Sequence, residues 1–448
     1  MSNDHTAAYH SPQVTQRIFA SGAVGNILET YDLILISLMA TTLSSEFFPP
    51  AAMPYAHVID VLYVFLIGLL IRPIGNVIMS VFSDQLGRKK LMTISLVFTG
   101  LGTALIGLLP NYSLIGVWST VIFILLRIFQ NFFAGIEYIN SATYLIENSK
   151  QKTLGYYGSW TALGISGGYL LASIVALIVS TLISNGLIPG WCWRLIFLFS
   201  IAGIWFGFWI RRSIPESLTF ILNNANSQPQ RKSGILMDSL NYILNNSAQS
   251  LSIAALTLLG ICLSFIYYIY IPINLITTRG FSQSGVFSLN IMCLSFVVML
   301  IPIFGILSDH YNRIAMLKIT SFLILLLAMP FFWLTAYGTY WEILFSCILI
   351  SIPSACFFSL YPVIVTESFP TRIRCTTASL IYQVIVSFEM GTLPLLVNYL
   401  LKQTSIPYSP GYLLMVSAVV GFFGLYFLKK LEIKGENRIS SDFVLKQI

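Results

Sequence analysis

The chain has 448 residues, of which 56% are hydrophobic and only 9% charged, with a mean hydropathy of +0.81. Soluble domains carry about 25% charged residues, so this composition excludes an ordinary water-soluble globule and points to a polytopic membrane protein. The formal net charge of +7 resides in loops between apolar runs, where membrane topology accounts for it without nucleic acid as a partner.

A membrane-crossing helix needs about 20 mainly apolar residues. That criterion predicts an all-α protein with twelve transmembrane spans. They cover 18–43, 56–82, 91–109, 114–146, 154–184 and 191–211, then 249–275, 285–307, 314–337, 341–366, 374–401 and 411–429. The first 17 residues are polar and lack a short apolar core or small-residue cleavage site, so the first span is expected to address the chain to the membrane. Nineteen of the 24 Lys and Arg residues fall in the tails or in alternate loops. Positive loops stay inside, which puts both termini in the cytoplasm.

Ionisable side chains inside spans cost at least about 2.5–3.5 kcal/mol each and mark function by default. In the first span Glu29 and Asp32 are three residues apart, hence on one helical face with Gly25. Counted at about 1.5 Å per residue, Asp32 lies roughly 20 Å deep, and Arg72 of the second span comes to a similar depth. His57 and Asp60, three apart near the outer end of that span, read as interfacial polar residues or as a pH-sensitive outer contact. The loop that follows, Phe82-Ser83-Asp84-Gln85-Leu86-Gly87-Arg88-Lys89-Lys90, sets three cations behind one acid and a glycine. Its basic residues hold it inside, and Asp84 can accept hydrogen bonds from helix N-terminal amides or pair with a neighbouring cation, as a latch would.

The fourth span carries Arg127, Gln130, Ala134, Glu137 and Ser141, expected to form a polar stripe on one face. Two cations and three acids in one half suggest ion pairs that exchange partners, with Asp32 taking up a proton. The alternative for Arg72, Arg127, Glu29 and Glu137 is a set of fixed structural pairs. Gly164, Gly167 and Gly168 in the fifth span are expected to pack against a neighbouring helix. Residues 212–248 are polar and Asn/Ser-rich, with Pro215 and Pro229, and read as the linker between two six-helix halves.

The second half echoes the first. Gly305-Ile306-Leu307-Ser308-Asp309-His310-Tyr311-Asn312-Arg313 resembles the first cytoplasmic loop, and Asp84 and Asp309 stand half a chain apart. Glu147, Lys152 and Gly155 follow the fourth span at the offsets at which Glu367, Arg372 and Cys375 follow the tenth. The domain plan is therefore 1–211, a linker 212–248, 249–429, and a cytoplasmic tail 430–448. The deep charge of the second half is Glu389 in the eleventh span, able to meet a cationic part of a substrate, to pair with a cation of the other half, or to stay neutral through hydrogen bonds to neighbouring helices. Tyr138 and Tyr382 are among the tyrosines expected to line a cavity. Six cysteines without metal-ligand spacing read as packing thiols. No cofactor or metal is expected. An enzyme is not expected either, since the histidines are scattered through the tail, an outer end and a loop.

These motifs together resemble the metabolite:proton symporter branch of the major facilitator superfamily, which carries proline/betaine, α-ketoglutarate, shikimate and citrate in bacteria. The resemblance rests on Gly25-Asn26-Ile27-Leu28-Glu29-Thr30-Tyr31-Asp32, on Arg72-Pro73-Ile74-Gly75 leading to the Asp84–Lys89 loop, and on Leu126–Gln130 with Ala134–Tyr138 and Ala142–Glu147. Arg211-Arg212, Pro215-Glu216-Ser217 and Phe369–Arg374 fit it as well. Thr30, Ser83, Gln85, His310, Asn312, Glu389 and Met390 depart from the pattern. The resemblance implies a monomeric alternating-access carrier in the bacterial inner membrane, importing a small carboxylate-bearing metabolite or zwitterion by proton symport.

On that resemblance Asp32, Glu29 and Glu137 are the proton-coupling candidates. Arg72, Arg127, Gln130, Tyr138, Tyr382 and Glu389 are the substrate-binding candidates, and Asp84, Gly87, Arg88, Asp309 and Arg313 the gating-loop candidates. Its partners are the substrate, protons and membrane lipid. The rival reading is an exporter or importer of a polycarboxylate siderophore or drug-like compound. Drug antiporters usually carry Gly-Pro in the fifth span, and Leu163–Gly168 has no proline.

Overall fold

The computed structural model describes residues 12–49, 56–149, 151–217 and 234–433, and among them it contains helices and no strand. The first helices are α1 (Pro12–Leu38), α2 (Ala40–Phe47), α3 (Ala56–Leu86), α4 (Arg88–Leu108), α5 (Val117–Phe133), α6 (Ile136–Glu147), α7 (Leu154–Ser184) and α8 (Trp193–Arg212). They are followed by α9 (Ile235–Asn245), α10 (Ser247–Phe265), α11 (Ile271–Thr277), α12 (Gln283–His310), α13 (Arg313–Tyr337), α14 (Tyr340–Glu367), α15 (Arg374–Thr404) and α16 (Gly411–Ile433). A π-helical turn, Ile266–Tyr270, joins α10 to α11.

Ten helical segments among the described residues are long and apolar enough to cross a bilayer. With α1 and α3, which are 27 and 31 residues long, each of the twelve predicted spans has its helical path. The fourth path is shared by α5 and α6, and the seventh by α10 and α11. In hydrocarbon each backbone polar group needs a partner within its own segment, which is why the apolar runs are helical. Their outer faces carry large apolar side chains such as Leu70, Trp205 and Trp209, exposed at 70%, 70% and 62%. Exposure of that kind is what lipid contact requires and what water disfavours. Helix starts follow local chemistry. Asn312 accepts from Ala315 N at 2.9 Å to cap α13, and Thr339 with Glu342 forms a capping box at the start of α14.

The chain divides into two compact units, Met1–Tyr144 with Gly164–Ser217, and Leu145–Leu163 with Leu218–Ile448. In the first, Phe47 stacks on Phe123 with ring centroids 5.1 Å apart and meets Trp193 edge-on at 6.0 Å. The Tyr31 hydroxyl, buried nearby, donates to the Ile196 carbonyl at 2.7 Å. There α7 lies directly against α1. A Cβ on Gly168 would come within 2.6 Å of the Ile27 carbonyl oxygen and of Thr30 Cβ, and one on Gly164 within 2.6 Å of the Ala23 oxygen.

In the second unit α10 packs against α16 and α12 against α14. The segment Leu145–Leu163 joins this unit through Ile146 and Leu154, which pack on Val363. Within the predicted linker 212–248 the chain forms α9, whose Asp238 pairs with Arg372 at 2.7 Å. Residues 218–233 of that linker, and all but the first few of the predicted tail 430–448, lie outside the described residues. All six cysteines are buried.

The α1–α7 contact makes a sharp contrast between adjacent glycines. Gly168→Ala is expected to cost about 1–3 kcal/mol because backbone must move. Gly167→Ala, whose nearest neighbour is Ile27 Cγ1 at 3.4 Å, should stay within about 0.5 kcal/mol. Unfolding of the solubilised variants measures the difference; equal losses would mean that the two helices are not in backbone contact.

Candidate functional site

The fourth span departs from its predicted form at its centre. The helix stops at Phe133, Ala134 is extended (φ −74°, ψ 155°), and Gly135 has φ 96°, a left-handed value that favours glycine. Arg127, Gln130, Ala134, Glu137 and Ser141 therefore do not share one helical face; they belong to two helices and the joint between them. The break frees backbone groups deep in the span, and side chains satisfy them. Gly135 N–H donates to Glu29 Oε1 at 2.7 Å, and Ser95 Oγ donates to the Phe133 carbonyl at 2.9 Å. Glu29 is thus fastened to the start of α6, where a helix N-terminus favours negative charge.

The remaining charges of the first unit sort into pairs and exceptions. Arg72 lies 4.0 Å from Glu29 Oε1. Glu137 is hydrogen-bonded to Arg211, whose guanidinium also donates to the Met92 carbonyl. Arg211 had the look of a loop cation in the sequence, yet it is 1% exposed. A hint was available in Gly25, where any side chain would collide with Arg211 and Glu137. Arg127 donates to Gln130 Oε1, and Gln130 Nε2 donates to Thr103 Oγ1 at 2.7 Å. Asp32, 4% exposed, accepts from Ser200 Oγ, and among the described residues no cation lies within ion-pair distance of it. Asn26 donates to Ser141 Oγ at 2.6 Å, tying α1 to α6, with Tyr138 buried in the same helix.

Each of the two loop motifs sets an acid–arginine pair beside helix N-termini. In the first, Asp84 and the buried Arg88 pair at 3.1 Å, and Gly87 takes φ 107° as N-cap of α4. The amides of Arg88 and Lys89 donate to Glu216 Oε1 at 3.0 and 3.1 Å, and the Lys89 ammonium donates to the Ile214 carbonyl at 2.6 Å. Asn140 Nδ2 donates to the Arg88 carbonyl at 2.9 Å. The Pro215-Glu216-Ser217 motif thus caps the helix that the loop begins. In the second copy Asp309 accepts from Gly155 N at 2.6 Å and Tyr156 N at 2.9 Å, at the start of α7. Arg313 joins Asp309 at 3.3 Å to Glu367 at 2.9 Å. Arg374 meets Glu147 at 3.3 Å.

Elsewhere in the second unit, Glu389 is buried on α15. Tyr382, two turns earlier, has its ring 6.4 Å from that of Tyr361, whose hydroxyl is hydrogen-bonded to Thr257 Oγ1 at 2.7 Å. The side chains of His57 and Asp60 lie outside the described residues.

Removing one member of a buried ion pair leaves the other charge uncompensated, at about 3–5 kcal/mol, whereas removing both costs far less. Arg211→Met and Glu137→Gln are each expected to destabilise the solubilised protein strongly. The double variant should regain most of that loss. Additive losses in the double-mutant cycle would show that the pair is not a unit.

Comparison with known proteins agrees with this architecture. The sequence profile described as Major Facilitator Superfamily matches residues 23–388. The chain is 27% identical over 436 residues to a glycine betaine/proline/ectoine/pipecolic acid transporter of Dickeya dadantii, covering 95% of this chain and 86% of that protein. It is 26% identical to the proline/betaine transporter of Escherichia coli K12, with the same coverage. A putative proline/betaine transporter of Staphylococcus haemolyticus is 28% identical over 90% of this chain and 85% of its own length. Among solved structures, the proton:xylose symporter XylE superposes with a TM-score of 0.73 at 17% identity, over 94% of this chain and 96% of XylE. These likenesses are in keeping with the metabolite:proton symporter resemblance read from the motifs. The chain belongs to the Major Facilitator Superfamily and is a multi-pass secondary transporter of a small molecule, not an enzyme.

Proposed function

We propose that the protein imports a small carboxylate-bearing metabolite or zwitterion together with a proton, with both termini cytoplasmic. The observation that carries this reading is the company kept by Asp32. It is a carboxylate buried in a membrane helix, hydrogen-bonded to the Ser200 hydroxyl, with no cation in ion-pair distance among the described residues. The other acids of that polar core, Glu29 and Glu137, face Arg72 and Arg211. A carboxylate whose countercharge is not supplied by the protein is suited to carry a proton, and paired acids are suited to hold the frame. Glu137, grouped with the coupling acids in the sequence, is better fitted to the frame.

Arg72 and Arg127 are the groups suited to a substrate carboxylate, since a guanidinium offers two parallel donors to it. Gln130 links Arg127 to Thr103 beside Asp32, so occupancy of the arginines and protonation of the acid can bias one another. The loops supply the gate. Asp309 holds the start of α7, and Glu216 with the Asp84–Arg88 pair and Gly87 holds the start of α4. Attachments at helix ends suit elements that part and re-form as units. Support for a zwitterion comes from the relatives, which are named for proline, betaine, ectoine and pipecolic acid.

The test is external pH in lightly buffered, de-energised cells as members of an organic-acid, betaine and amino-acid panel are added. One compound should raise the pH, and a protonophore should abolish the rise. Asp32→Asn should keep counterflow of that labelled compound and lose the rise. Proton-coupled accumulation that persists in Asp32→Asn would remove Asp32 from the coupling role.

A further inference from the structure

We propose that Glu389, with Tyr361 and Tyr382 beside it, forms a cation subsite in the second unit that takes an alkylated ammonium group. The inference rests on the reading of the chain as a carrier of carboxylates or zwitterions, and it narrows that reading to zwitterions.

Buried acids elsewhere in the described chain have an evident partner. Glu29 faces Arg72, Asp84 faces Arg88, Glu137 faces Arg211, Glu147 faces Arg374, and Asp32 has the Ser200 hydroxyl. Glu389 differs. It is 4% exposed, its Oε2 is buried without a hydrogen-bond partner, and among the described residues no Lys, Arg or His lies within ion-pair distance. Burying an ionisable group this way is unfavourable unless a bound proton or a ligand compensates it. A residue of merely structural value at mid-helix would cost less as Gln or Leu.

The surroundings specify the cation. Tyr361 and Cys262 lie within electrostatic reach of the Glu389 carboxyl. Tyr382 stands two turns from Glu389 along the same face of α15, and its ring is tilted 44° to that of Tyr361. The Tyr361 hydroxyl is engaged with Thr257 and its ring stacks on Phe357 at 5.7 Å, so what this residue can offer a ligand is the ring surface turned away from Phe357. Aromatic surface beside one carboxylate suits a large, weakly hydrated cation, which gains most from aromatic contact when desolvated. A small inorganic cation needs several oxygen ligands, and this cluster offers a single carboxylate.

The experiment uses the full chain in lipid nanodiscs. Equilibrium binding is measured for glycine betaine and for 3,3-dimethylbutyrate, which replaces the ammonium nitrogen by carbon at nearly constant shape. Glycine betaine should bind at least about tenfold more tightly, as expected of a charge-assisted contact. Glu389→Gln should bring the ratio below about twofold by weakening glycine betaine alone, and Glu389→Asp should leave an intermediate ratio. Equal binding of the two probes by the native chain would overturn the proposal, and so would loss of both probes to the same degree in Glu389→Gln.

Tetramethylammonium chloride separates this question from that of transport. Against sodium chloride at equal ionic strength, it should raise the thermal stability of the native chain and not that of Glu389→Gln. Absence of that difference sinks the subsite even if proton-coupled uptake is found. Its presence without any proton-coupled uptake upholds the subsite and sinks the import reading.

Discussion

Hydrocarbon does not tolerate a lone charge or a lone peptide group, and in the first unit these two demands satisfy each other. The fourth span breaks at Ala134–Gly135 and frees an amide at membrane depth; the first span carries Glu29 at the same level, and the amide donates to it. Either feature alone would cost several kcal/mol. Together they fix α1 against the joint between α5 and α6, with Arg72 close to the same carboxylate. The polar residues around this joint are then positioned on three sides. Asp32 lies one turn along α1 from Glu29, Gln130 one turn before the break, and Glu137 in the first turn after it.

The two loop motifs apply the same chemistry at the helix ends. A helix that begins at a membrane surface exposes amides that need acceptors. Glu216 supplies one for α4 and Asp309 one for α7. Both loop copies pair their acid with the arginine four residues on, Asp84 with Arg88 and Asp309 with Arg313. In the first, Glu216 accepts from the amides of the helix that the loop begins; in the second, Asp309 accepts from the amides of α7 and Arg313 ties it to Glu367. Sequence similarity between the copies thus shows as a shared acid–arginine pair beside a helix start.

Much of this was legible in the residues. Apolar length and cation placement reveal the twelve paths, because lipid imposes a single solution on each run of about 20 apolar residues. That α7 packs closely on a neighbouring helix was legible in Gly164, Gly167 and Gly168; that the neighbour is α1 was not. The shared face of Glu29 and Asp32 was legible in their spacing. The break at Gly135 was not. An Ala-Gly step is common inside a membrane helix, and only the carboxylate waiting on another span makes the extended form affordable. Arg211 was misread for a related reason. Arg211-Arg212 at the end of a span looks like a topological signal, and adjacent residues on a helix point in different directions: Arg212 is exposed and Arg211 is buried against Glu137. Burial of that kind depends on helix rotation, which hydropathy does not encode.

The distribution of countercharges separates frame from moving parts. Pairs such as Glu137–Arg211 have their countercharge within the unit, which suits them to hold the frame. Asp32 and Glu389 lack a cation among the described residues, one in each unit. In the proposed cycle their countercharges arrive with the cargo, a proton at Asp32 and an ammonium group at Glu389. An empty carrier then keeps two buried carboxyl groups that its own side chains do not neutralise, and filling both stabilises the state able to reorient. Coupling follows from that difference, since a carrier loaded at only one of the two sites would still hold an uncompensated group in hydrocarbon.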